Sequence, residues 1–242
     1  MGAALIFHTA DLHNHLCPAA ARQLKALKQA HPDALLLDAG DAVGAGNLAF
    51  RLRGEPILRQ MAEIGYDAMA MGNRESHPIG AMLERKLQDA RFPVLAANLV
   101  AKRQPAPEMV RDHVVFERAG KRVAVIGLAP QMTRPGSFWA RVTDFVFQDP
   151  LASASRLAGE LRQQADLVVC LSHCGEEIDR QLASLEAVDL VLGGHSHRDL
   201  VTREPGQALV VHPGWRGSHV ACTELTGRSD ARSVLRPLEA GL

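Results

Sequence analysis

The sequence lacks a disulfide framework. Its four cysteines, Cys17, Cys170, Cys174 and Cys222, are scattered and form no CxxC pair, which fits free, mostly buried thiols in a reducing compartment. It also lacks a charge surplus. Lys plus Arg and Asp plus Glu stand at 27 each, so nothing global steers the chain toward nucleic acid, and any electropositive site has to be local, as a bound metal would be. Long apolar runs are missing too. No stretch approaches a membrane span, and Leu5-Ile6-Phe7 is too short for the core of a secretory signal and reads as a strand. These absences lead to the expectation of a cytoplasmic protein with no membrane partner. Internal repeats, low-complexity segments and convincing linkers are absent as well. With 242 residues and 47% apolar content, the chain has enough for a single α/β domain over 1–242 with a sizeable core.

Apolar runs of strand length fall at 3–10, 34–38, 67–71, 93–97, 167–171 and 188–192. Helical patterns lie between them. One starts at Cys17-Pro18 and reaches about Ala30, with proline suited to the first turn. A second carries Ile57, Leu58, Met61 and Ile64 and stops at Gly65. A third is expected from Pro78 to about Ala90, a fourth from Asp149-Pro150 to about Gln164, and a fifth near 176–186. Segments 100–110 and 129–143 read as loops. Val114–Arg118 and Lys121–Leu128, joined by Ala119-Gly120, read as a β-hairpin. The tail from 207 to 238 is strand-rich. Strands alternating with helices early and antiparallel strands late predict sheets packed inside helices.

Five of the strands end in polar residues within Gly-rich turns. The ends carry Asp11 and His13, Asp41, Asn73, His173, and His195 and His197. Each cluster alone is a weak signal, because turns often carry such residues. Together, all five ends hold side chains with metal-ligand chemistry. Asp11 and His13, like His195 and His197, stand at i and i+2 and point the same way if extended geometry continues past the strand. Eight N and O contacts make two metal sites if one carboxylate bridges, and Asp41 is the natural candidate. No cysteine joins the set, which argues against a structural zinc–thiolate site. Such ligands suit Mn, Fe, Zn or Co without choosing among them.

The ordered set Asp11-x-His13, Gly40-Asp41-x-x-Gly44, Gly72-Asn73, His173 and Gly194-His195-x-His197 resembles the calcineurin-like metallophosphoesterases. Thr9-Ala10-Asp11-Leu12-His13-Asn14-His15-Leu16 and Leu36-Leu37-Asp38-Ala39-Gly40-Asp41 are most similar to the catalytic domain of the 5′-nucleotidase/UDP-sugar hydrolase branch, and the likeness spans about 3–225. The resemblance implies a four-layer αββα sandwich of mixed sheets. It implies one ion held by Asp11, His13, Asp41 and His197, and a second held by Asp41, Asn73, His173 and His195. It further implies a hydrolase that uses two divalent metal ions on a small phosphorylated, nucleotide-like substrate, either a monoester or a cyclic diester. Two ions bridged by Asp41 would lower the pKa of a bridging water and neutralise phosphoryl oxygens.

The sequence departs from the family pattern in two places. The family has His after Gly-Asn, and here the residue is Arg74, with His77 where the branch often has an aspartate. Arginine is a poor general acid and a strong phosphate clamp. The expectation is an exchange of roles, with Arg74 stabilising the transition-state charge and His77 protonating the leaving oxygen. The alternative for Arg74 is an ion pair with Glu75 or Glu63. The second departure is length: the C-terminal domain that stacks the base in the branch has no counterpart in this sequence. Phe50, Phe138 and Trp139 are available to stack a ring, although capping the core beneath their loops is the favoured expectation. His8 and His15 are expected to support the first motif, Asp38 to serve its turn, and His212 to lie near the rim. Two other functions compete: a thiosulfate-ester hydrolase of the same branch, and a non-catalytic scaffold with this fold. The complete ligand set argues against the scaffold.

Overall fold

The computed structural model describes residues 2–239. The chain runs β1 (Ala4–Thr9), α1 (Pro18–Ala30), β2 (Leu35–Asp38), α2 (Pro56–Ile64), β3 (Ala68–Ala70), α3 (Gly80–Leu87), β4 (Val94–Leu95), β5 (Leu99–Ala101), β6 (Val110–Arg111), β7 (His113–Arg118), β8 (Lys121–Leu128), β9 (Phe145–Phe147), α4 (Pro150–Leu161), β10 (Leu167–Ser172), α5 (Glu176–Ser184), β11 (Leu190–Gly193), β12 (Asp199–Thr202), β13 (Leu209–Pro213), β14 (His219–Leu225) and β15 (Arg232–Pro237).

Two mixed sheets form the centre. One has seven strands in the order β15-β14-β1-β2-β3-β4-β6, the other six in the order β12-β13-β11-β10-β8-β7, and β5 pairs with β9 apart from both. Side-chain alternation sorts the strands into layers. Ile6, Leu35 and Leu37 of the first sheet meet Val125, Val169 and Leu192 of the second in a core between the sheets. Phe7, Leu36 and Met69 point the other way, onto Leu24 of α1 and Leu58 and Met61 of α2. On the far side, Ile126, Val168 and Val191 pack on Leu157 and Leu161 of α4 and Leu182 of α5. The result is helix, sheet, sheet, helix. Each of these fully buried side chains contributes about 1.5–3 kcal/mol.

Local chemistry sets the element ends. Pro18 opens α1, where the Cys17 thiol accepts the Ala20 N–H at 3.4 Å. Gly65 closes α2 at φ 102°. Ala119 and Gly120, at φ 49° and 73°, form the tight turn between β7 and β8. The third helix begins at Gly80 rather than Pro78. The Ile79 and Gly80 N–H groups are taken instead by His77 Nδ1 at 3.1 Å and Asp144 Oδ2 at 2.8 Å. Strands β5, β6 and β9 lie where the sequence predicts loops or nothing regular. Among the described residues, no helix is long and apolar enough to cross a membrane.

Candidate metal centre

The parallel pairings β1–β2, β2–β3 and β10–β11 bring the C-terminal ends of these strands to one edge of the two facing sheets. Polar turns lace that edge together. The Asp11 N–H donates to the Gly40 carbonyl and the His13 N–H to the Asp41 carbonyl, both at 2.9 Å. Across the sheets, the His195 N–H donates to Asp11 Oδ2 at 2.8 Å, and His173 Nδ1 lies 2.7 Å from the Ala39 carbonyl. That contact turns Nδ1 to the carbonyl and aims Nε2 at the carboxylates of the cluster. Glycine is required where the turns touch. A Cβ on Gly40 would lie 2.8 Å from the Gly72 nitrogen, and one on Gly72 would lie 2.3 Å from Asp41 Oδ1.

The side chains converge by a route that extended geometry does not provide. Strands β1 and β11 stop before the motifs, and Asp11, His13, Asp41, His195 and His197 all have positive φ, between 47° and 71°. Left-handed turns, not continued strands, aim these residues. Non-glycine residues held in that region store strain, and such strain concentrates at functional sites.

The donor atoms lie close together. His13 Nε2 is 3.6 Å from both Asp11 Oδ1 and Asp41 Oδ2, and His197 Nε2 is 3.3 Å from Asp11 Oδ1. His173 Nε2 is 3.4 Å from Asp41 Oδ1 and 3.9 Å from Asp11 Oδ1. Two groups with metal-binding geometry result, Asp11–His13–His197 and Asp11–Asp41–His173. The His195 ring lies 5.0 Å from the His173 ring, edge to face. Asn73 is placed by its amide, which donates to Asn47 Oδ1 at 3.2 Å. Asp11 Oδ1, His13 Nε2, Asn73 Oδ1 and His173 Nε2 are buried without a hydrogen-bond partner. Orphaned buried atoms of this kind demand an explanation, and divalent metal held by oxygen and imidazole ligands supplies one. The donor set therefore fits divalent metal ions.

The charge state agrees. Burial pushes the Asp41 carboxyl up, but His173, the Arg74 N–H and His13 together outweigh it and hold it low. Burial alone would lower His173, yet Asp41, Asp11 and Glu75 raise it to about 9. The carboxylates thus hold positive charge at this edge.

Supporting residues surround the cluster, and two of them, the turn-holding Glu75 and Asp179, have no signal in the sequence for that role. Glu75 is fully buried and accepts the N–H groups of Asp41 at 2.8 Å, Val43 at 3.0 Å and Gly72 at 3.0 Å. It does not pair with Arg74. Instead the Arg74 N–H donates to Asp41 Oδ1 at 2.7 Å, and its Nε lies 3.5 Å from Asp41 Oδ2. His212 is buried behind the rim, 2.9 Å from Asp179 Oδ2 and 3.0 Å from the hydroxyl of Ser196, which stands between His195 and His197. Asp38 accepts from Thr9 at 2.7 Å and from the Gly40 N–H at 2.9 Å, so it serves the turn. His8 is buried against the Gly193 carbonyl, whereas His15 is exposed.

His77 is buried on the turn that follows Asn73 and Arg74. Its Nδ1 accepts the Ile79 N–H, its ring meets Phe50 edge-on at 6.2 Å, and burial lowers its pKa. Phe138 and Trp139 do not cap a core. Both are exposed, because the 129–143 loop turns them outward around the short turn Trp139–Arg141.

Comparison with known proteins places the chain in a family. The chain is similar to human 5′-nucleotidase, 29% identical over 224 residues that make up 83% of this chain and 39% of that protein. Vibrio cholerae 5′-nucleotidase is 29% identical over 201 residues, 76% of this chain and 36% of that one. The chain thus spans less than half the length of these curated relatives. Among solved structures, a 5′-nucleotidase precursor from Thermus thermophilus superposes with a TM-score of 0.81 at 27% identity, over 98% of this chain and 54% of that one. The Haemophilus influenzae NAD nucleotidase shares the fold, with a TM-score of 0.80 at 21% identity over 98% and 56% of the two chains. The family model for calcineurin-like phosphoesterases matches residues 4–199, and the chain belongs to that family.

Proposed function

We propose that this chain is a phosphoric ester hydrolase with a dinuclear metal centre, acting on a nucleotide-like phosphomonoester or cyclic phosphodiester. One observation carries the reading: four orphaned ligand atoms and both carboxylates converge at one strand edge, with the Arg74 guanidinium beside Asp41. Asp11, His13, Asp41 and His197 would hold one ion, and Asp41, Asn73, His173 and His195 the other. Asp41 suits the bridge because Oδ2 faces His13 while Oδ1 faces His173. Metal held by these residues would lower the pKa of water for attack near neutral pH and would neutralise phosphoryl oxygens. Manganese, zinc, iron and cobalt all suit the donors.

The chain's own residues do the rest. Arg74 is a half-buried forked cation at the cluster and clamps phosphoryl oxygens as charge builds. His77 accepts at Nδ1, so its neutral ring carries the proton on Nε2. With its pKa lowered, it acts as a hydrogen-bond donor to the leaving oxygen and not as an imidazolium acid. The nucleotide-like substrate is supported by the 5′-nucleotidase names of the relatives. The test is a substrate panel with metal-reconstituted protein: 5′-nucleotides, 2′,3′-cyclic nucleotides, UDP-sugars, p-nitrophenyl phosphate and its bis ester. Metal-dependent turnover of a nucleotide or cyclic nucleotide supports the reading. Absence of turnover with every ester and every metal overturns it and favours the scaffold.

A further inference from the structure

We propose that the apolar cavity beside the Asn73–Arg74 turn is a subsite for the organic group of the phosphoester, selecting flat, apolar, uncharged groups; this rests on the phosphoesterase reading above. The cavity measures about 440 Å³, a size typical of small-molecule sites. Its walls come from three stretches distant in sequence: Leu48 from the 42–54 loop, Ile79 from the turn before α3, and Trp139 and Val142 from the 129–143 loop. Phe145 and Phe147 of β9 line it as well.

Three observations separate this cavity from an ordinary surface dent. The first is its apolar rim. Of nine exposed large hydrophobic residues among the described residues, six belong to the surrounding segments: Leu48, Leu52, Ile79, Phe138, Trp139 and Val142. Such residues are normally scattered, and their concentration marks a binding surface. Trp139, 68% exposed, offers an indole face for a ring to stack on.

The second is continuity with the metal centre. Asn73 donates to Asn47, which lines the cavity, and Ser76 and His77 on the same turn form its wall. The buried Lys86 ammonium donates to the Gly46 carbonyl at 2.8 Å and the Ser76 carbonyl at 3.2 Å, tying the 42–54 loop to that turn. A phosphate held between the ligands and Arg74 therefore has this cavity as the adjoining apolar space for its ester substituent.

The third is charge. No Lys, Arg, Asp or Glu lines the cavity. A second phosphate would be desolvated there with no cationic side chain to pair it, which is costly. The subsite thus favours a nucleobase-like or aryl group over a further phosphate.

The test compares 1-naphthyl phosphate with glycerol 3-phosphate on the metal-loaded protein. Trp139→Ala and Leu48→Ser should each lower the ratio of the two kcat/KM values by roughly tenfold, the effect of losing one good apolar contact. A ratio that stays at the wild-type value in both variants overturns the subsite. Calorimetry with 1-naphthylphosphonate and methylphosphonate separates this from the parent reading. If no ester is hydrolysed but the naphthyl compound binds more tightly and Trp139→Ala erases the preference, the subsite stands and the phosphoesterase reading falls. Equal affinities for the two phosphonates in the wild type overturn the subsite alone.

Discussion

The indole of Trp215 lies flat on the imidazole of His197, with ring centroids 4.8 Å apart and planes within 5°. The same indole meets His13 edge-on at 6.3 Å, and the Arg216 guanidinium covers it at 4.2 Å. The Arg216 N–H donates to the Asp11 carbonyl at 2.8 Å, with Arg216 itself at φ 53°. Two neighbouring residues thus touch all three members of the Asp11–His13–His197 group. Aromatic pairs add about 0.5–1.5 kcal/mol beyond their buried area. Trp215→Ala should therefore weaken Mn²⁺ binding at one site by about tenfold, while Trp215→Phe restores most of it. Calorimetric titration with resolved sites checks this, and equal affinity in Trp215→Ala and wild type would contradict it.

Glu75 holds the turn that carries Asp41. Removing it leaves three buried N–H groups, those of Asp41, Val43 and Gly72, without an acceptor. Glu75→Ala should cost about 3 kcal/mol or more of unfolding free energy, and Glu75→Gln less because one carbonyl acceptor remains. Urea unfolding measures both. A Glu75→Ala loss within about 0.5 kcal/mol of zero would show that the turn stands without it.

Arg74 pairs with Asp41 and not with Glu75 or Glu63, so it faces the ligand cluster. Arg74→Ala should reduce kcat/KM for a phosphoester by about tenfold to hundredfold and weaken inhibition by inorganic phosphate. Arg74→Lys should recover only part, since a point charge does not reproduce the fork. Unaltered phosphate inhibition in Arg74→Ala would remove the clamp from the account.

His8 gives a pH dependence with a definite sign. Burial pushes its pKa from 6.5 down to about 3, against the pull of the Gly193 carbonyl. The unfolded chain therefore binds a proton that the folded chain refuses. This share of stability is present above pH 6.5 and is lost as pH falls toward 3, at about 1.4 kcal/mol per pH unit. Urea midpoints of the metal-free protein should fall less steeply with acid in His8→Gln than in wild type. Parallel curves would exclude His8 as a source of the acid lability.

Much of this molecule can be read from local signals. The short apolar run Leu5-Ile6-Phe7, proline at 18, Gly65 after Ile64 and Ala119-Gly120 mark real elements and boundaries, because each acts over a few residues. Elements fixed by distant partners escape. Leu99–Ala101 becomes a strand only because Phe145–Phe147 pairs with it, and α3 loses its first residues to Asp144. At the site, the types and order of the candidate ligands are visible, since they follow the ends of strands. The left-handed backbone that aims Asp11, His13, Asp41, His195 and His197 is not, because no local residue preference favours it at His or Asp strongly enough. Trp215 and the Asp179–His212 pair escape for a simpler reason: their partners lie far away in sequence.

The central claim is a pair of ions bridged by Asp41. Metal content per chain, measured after equilibration with Mn²⁺ and gel filtration, tests it directly in wild type, His13→Ala and Asp41→Ala. The account predicts two ions in the wild type, weakened occupancy of one site in His13→Ala, and loss of both in Asp41→Ala. Two ions still bound per chain in Asp41→Ala would contradict it.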